Sequence, residues 1–107
     1  MGEFELTLGE NTLTLRCTPL ALRSVETKHG GIRVVTQQLY DVNFQLIKDL
    51  IEAGLQGGQT YDKKLLEQEI FDAGVMNLVE PMMEYLMLLG NGGKPPSEEG
   101  EPEEGEA

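Results

Sequence analysis

Apolar and polar residues alternate strictly at the start of the chain. Phe4, Leu6 and Leu8 fall on one face of an extended segment, with Glu3, Glu5 and Thr7 on the other. Gly9, Glu10 and Asn11 supply turn chemistry, after which Leu13, Leu15 and Cys17 alternate with Thr12, Thr14 and Arg16. The pattern predicts a β-hairpin over 3–17 with one apolar face, and that face needs cover.

The period changes at Thr18-Pro19. Thr18 is suited to accept a backbone N–H as a helix N-cap, and Pro19 to the first helical position, where its missing donor would have no partner. Leu22, Val25 and Glu26 follow at helical spacing, and His29-Gly30-Gly31 ends the helix. Ile32, Val35 and Leu39 resume the spacing, then Phe44, Ile47, Leu50 and Ile51, with Gly54 and Gly57-Gly58 as the stop. Asp41 or Asn43 is placed to cap a fresh helix, so a short helix, a tight joint and a longer helix are expected.

Thr60 reads as the cap of a helix over 61–73, with Leu65, Leu66, Glu69 and Ile70 in a stripe and Gly74 as terminator. A last helix holds Met76, Val79, Met82, Met83, Leu86 and Leu89. Pro81 falls in its first turns, where it is tolerated or bends the helix slightly. Strands first and helices afterwards define an α+β fold: an N-terminal β-hairpin followed by about four short α-helices over about 19–89, in a single domain spanning 1–90.

Composition adds a tail to this picture. The 107 residues carry a formal charge of −11, from 19 acidic and 8 basic side chains. The stretch from Lys94 onward has no aromatic or β-branched residue and carries −5 of that charge, leaving −6 on the body. A disordered acidic tail over 91–107 is expected, because the stretch has too little apolar surface to offset chain entropy. It reads as a solubilising terminus, or as a tether or mimic of an anionic surface. The charge argues against nucleic acid and against an anionic membrane as partners. Neither a membrane span nor a signal peptide is expected, and the single Cys17 allows no intramolecular disulfide; the cytosol is the expected location.

The search for reactive chemistry is short. His29 is the only histidine and reads as an exposed capping residue near a helix C-terminus. Cys17 alternates onto the apolar face of the second strand and reads as a buried, inert thiol. A Cys17–His29 dyad would require tertiary contact. One Cys and one His do not make a structural zinc site. Glu67, Glu69 and Asp72 lack a calcium-loop pattern and read as a solvated helix face. The glycines of 54–58 follow a helix and have no Lys-Ser/Thr, so they fit no phosphate loop and read as a helix stop plus connector. Neither catalysis, a metal nor a cofactor is expected.

What stands out is the last helix. Met76, Met82, Met83 and Met87 join Tyr85, Leu86, Leu88 and Leu89, and between residues 82 and 89 only Glu84 is charged. That exceeds what a one-faced helix needs. The thioethers either fill an irregular core or offer a surface that repacks against a partner. Met76, Val79, Met82, Met83, Leu86 and Leu89 are therefore the candidate partner-binding residues, with homo-oligomerisation as a further use.

The order of elements, with Arg16-Cys17-Thr18-Pro19-Leu20-Ala21-Leu22 leading into a helix that contains Glu26, resembles the small tail proteins of gene transfer agents and long-tailed phages, grouped with tail assembly chaperones. The resemblance covers about residues 3–90. It implies a non-enzymatic role in tail morphogenesis, binding the tape-measure protein or other tail proteins in the cytoplasm of a bacterial host until the tube assembles. A structural component of the tail tube or connector, forming oligomers, is the alternative. A third reading, a small acidic DNA mimic, is weakened by how much of the charge lies in the tail.

Overall fold

A computed structural model describes residues 2–94. These residues form a two-stranded antiparallel hairpin, β1 (Glu3–Leu8) and β2 (Asn11–Arg16), then five helices: α1 (Pro19–His29), α2 (Ile32–Tyr40), α3 (Phe44–Leu55), α4 (Lys63–Ala73) and α5 (Val75–Gly90). The fold is α+β as the alternation and spacing predict, with five helices where about four were expected.

The hairpin closes on Gly9, whose φ of +61° occupies the position a type II′ turn gives to glycine. Its register pairs Leu8 with Asn11 and Phe4 with Leu15, so Leu6, Leu8, Leu13 and Leu15 all face the helices and are buried. At α1 the Thr18 hydroxyl accepts the Ala21 N–H at 3.0 Å, with Pro19 in the first turn. Between α2 and α3 the cap is Asn43, whose side chain accepts the Leu46 N–H at 3.0 Å. The joint forces Val42 to φ +57°, a region that a β-branched residue occupies only under strain.

Two boundaries differ from expectation. The cap of α4 is Asp62, not Thr60: its carboxylate accepts the Lys64 and Leu65 N–H groups at 2.9 and 3.1 Å, and its own backbone is extended. Tyr61 and Leu66 then take the two places of a hydrophobic staple and border one cavity. Gly54 is no stop. It lies buried inside α3, where an added Cβ would meet Leu15 Cβ at 2.7 Å and the Tyr85 hydroxyl at 2.8 Å. Close approach of α3 to the hairpin and to α5 explains that glycine.

Helix α3 is the centre of the molecule, packing against β2 and all four other helices. Leu46, Ile47, Leu50, Ile51 and Leu55 are each 0–1 % exposed. From α5 the residues Leu78, Met82, Tyr85, Leu86 and Leu89 complete the core. Pro81 sits inside α5. The expected tail lies mostly outside the described residues, but its first four belong to the body. The Gly93 N–H bonds the Leu88 carbonyl at 2.7 Å, closing α5 with Gly92 in the left-handed region.

Candidate protein-binding surface

The α4–α5 elbow is made by Gly74, which ends one helix and precedes the next. Its φ of +89° suits glycine, and a side chain there would press on Asn77, 2.9 Å from Nδ2. The Gly74 N–H reaches the Ile70 and Phe71 carbonyls, both at 3.1 Å. The Asn77 backbone N–H bonds the Gly74 carbonyl at 2.9 Å, and the Asn77 amide donates to the Ala73 carbonyl at the same distance. With the corner fixed this way, Phe71 and Met76 project from it, 71 % and 78 % exposed.

The six candidate residues of α5 separate into two sets. Met82, Leu86 and Leu89 are buried in the core and present no surface, which corrects their assignment to a partner face in the folded protein. Met76 is open to solvent, while Val79 and Met83 are half-buried. Met76, Val79, Met83 and Met87 recur at i, i+3, i+7 and i+11, so they run along one flank beside the core-facing stripe. Packing of α2 against α5, with Ile32 against Gly90, reduces exposure toward the C-terminal end. The helix is apolar on more than one side because all four other helices pack against it, and its N-terminal end is where apolar surface stays bare.

Phe71 was not among the sequence candidates. It follows Ile70 in the chain and falls off the line of Leu66 and Ile70 that α4 turns to the core. An aromatic on the polar side of a helix was the available signal. Leu65, expected in the buried stripe, is likewise 55 % exposed.

The histidine and the carboxylates of α4 make structural contacts. The His29 Nε2 lies 2.7 Å from Asp49 Oδ2, with side chains 14 % and 12 % exposed, so His29 ties α1 to α3 and is not the exposed cap that its position suggests. Cys17 is half-buried and its thiol is raised by desolvation, which lowers the thiolate available for reaction. Cys17 precedes α1 and His29 ends it. The helix separates them by about 16 Å at 1.5 Å per residue, so they form no dyad.

Two of the acidic residues of α4 are engaged across elements, while Asp72 accepts from Gln68 one turn earlier in the same helix. Glu67 receives Lys48 Nζ at 2.9 Å, and Glu69 accepts from the Asn11 amide. Lys48 also stands 3.9 Å from Glu52, a buried carboxylate on the same helix. Among the described residues no group of three or more His, Cys, Asp or Glu side chains is placed to hold a metal ion. No helix among them is long and apolar enough to cross a membrane.

Comparison with known proteins adds no relative: no family model, curated protein or solved structure matches the chain.

Proposed function

We propose that this protein is an assembly chaperone of the phage and gene-transfer-agent tail type, holding the tape-measure protein in the bacterial cytoplasm before the tail tube forms around it. The carrying observation is the bare apolar corner of Phe71 and Met76 on a body whose other large apolar residues are mostly buried. A long helical client exposes apolar stripes, and an apolar corner continued by Val79 and Met83 provides complementary contact without a deep pocket. The order of hairpin and helices, with the Thr18-Pro19 start of α1, supports the same reading.

Co-expression with a tape-measure protein from the same genome tests it. The wild-type chain is expected to raise the soluble fraction of the client and to co-purify with it. The double substitution Phe71→Asp and Met76→Asp is expected to lose both effects while keeping the helical circular dichroism spectrum. Unchanged client solubility in the presence of the wild-type protein would sink the proposal.

A further inference from the structure

The geometry points to a second, separate binding site: the open edge of β1 accepts an extended, basic segment of another protein as a third strand. The hydrogen-bonding phase of the hairpin is fixed by the Cys17 N–H, which donates to the Gly2 carbonyl at 2.6 Å. Counting by twos along the register, Phe4, Leu6 and Leu8 direct their backbone groups to β2. The N–H and C=O groups of Glu3, Glu5 and Thr7 therefore point away from it. The far edge of β2 confirms the phase, because the outward Thr14 N–H is taken by the Gln59 side chain at 2.6 Å. The Arg16 guanidinium donates to the Gly57 carbonyl at 2.7 Å along the same side, so the 57–59 connector covers that edge. On β1, no hydrogen bond among the described residues reaches the backbone groups of Glu3, Glu5 or Thr7.

This edge does not face open solvent alone. It borders a groove of about 530 Å³ between β1 and the outer side of α5, with Leu78 and Pro81 among its apolar residues. Among the described residues, Glu5, Glu80 and Glu84 are the charged ones that line it. Pro81 has no N–H to give the Asn77 carbonyl, so one backbone acceptor on this wall lacks its i+4 donor, and both residues line the groove. Unpaired strand groups beside an apolar and acidic wall are the requirements for strand addition with a charge preference.

The charges select the occupant. A second copy of β1 would bring Glu3 and Glu5 against the same residues of its twin, which is unfavourable for directly opposed like charges. The chain's own 95–107 segment carries six glutamates and is repelled for the same reason. A partner strand with alternating Lys or Arg places its cations beside Glu3 and Glu5 on the outer face and its apolar residues toward Leu78 and Pro81. Glu80 and Glu84 on the groove wall add to the negative field. This site uses neither Phe71 nor Met76, so either stands if the other fails.

The test uses the full-length protein and a short synthetic peptide alternating lysine with valine. Binding is expected to be about tenfold tighter than for the glutamate–valine counterpart, a difference of one good charge pair. It should slow amide exchange at Glu3, Glu5 and Thr7. Glu5→Pro removes an outward donor that β2 does not use, and is expected to abolish binding while the hairpin persists. Should that variant not fold, methylating alternate peptide amides, in both phases, keeps the charge and removes strand pairing. Equal binding of the methylated and unmethylated peptides would overturn the proposal. So would self-association of the wild-type protein that competes with the peptide, since a second copy would then be the occupant.

Discussion

The Tyr85 hydroxyl donates to the Arg16 carbonyl oxygen at 2.7 Å, joining the last helix to the end of the second strand across 69 residues of sequence. The side chain has no exposure, and its ring stands 6.0 Å from that of Phe4 in a tilted arrangement. Tyr85→Phe keeps the ring and leaves the strand carbonyl without its donor. We expect a loss of about 1–2 kcal/mol in urea unfolding, the usual cost of an unsatisfied buried acceptor.

The same hydroxyl makes stability fall in alkali. Burial, with a smaller contribution from the Cys17 charge, raises the Tyr85 phenol well above its ordinary range. In the unfolded chain it ionises near pH ~10. Above that pH the unfolded state binds fewer protons than the folded one, so unfolding free energy declines as pH rises. The Cys17 thiol, also raised by burial, adds a decline of the same sign beginning in the ordinary thiol range. Urea titrations from pH 8 to 11 should show this slope in the wild type and a shallower one in Tyr85→Phe.

Gly54→Ala tests the closeness of α3 to its neighbours. In an open helix this change would add stability, up to about 1 kcal/mol. Here the new Cβ meets Leu15 and Tyr85 below 3 Å, and two of the three nearest atoms are β-strand Cα and Cβ that do not swing aside. Overpacking outweighs propensity, and a net loss of about 1–3 kcal/mol is expected by thermal or urea melting.

Lys48 holds two carboxylates on different helices. Replacing it with Met leaves Glu52 buried with no counter-charge. Removing one partner of a fully buried pair costs about 3–5 kcal/mol. These side chains keep 12–15 % exposure, so we expect about 2 kcal/mol. Changing Glu52 to Met at the same time should recover most of the loss, and a double-mutant cycle by urea unfolding measures the coupling.

Val42 is the one non-glycine residue with positive φ among those described. Asn accepts that backbone geometry more readily than a β-branched side chain. Val42→Asn is expected to raise stability by about 0.5–1 kcal/mol. A fall would mean that the half-buried valine side chain contributes more than the joint costs.

Where one physical signal dominated, the sequence was enough. The two-residue period of Phe4 to Cys17 and the Thr18-Pro19 start of α1 led directly to the hairpin and first helix. Local rivals confused the rest. Thr60 and Asp62 are both competent caps, and only the tertiary placement of this segment, with Tyr61 packed against the core, decides for Asp62. Gly54 resembles a helix terminator because close packing and chain termination favour the same residue. In α5, apolar density exceeded one face, but nothing local shows that α2 would cover its second flank. The buried Met82 and the bare Met76 therefore looked alike. Phe71 had only its place on the polar side of α4 to mark it, and the Lys48–Glu67 link depends on tertiary placement that no spacing encodes.

The turn that closes α5 brings Gly93 against Gly2, so close that a Cβ on Gly93 would lie 2.8 Å from the Gly2 Cα. The two ends of the folded body thus share one corner, and a few residues would suffice to join them into a ring. Such a ring can be reopened at the exposed Gly57-Gly58 connector, giving a circular permutant that starts at α4 and ends at α3. Both proposed surfaces would keep their geometry in that molecule, freeing the crowded corner from chain ends altogether.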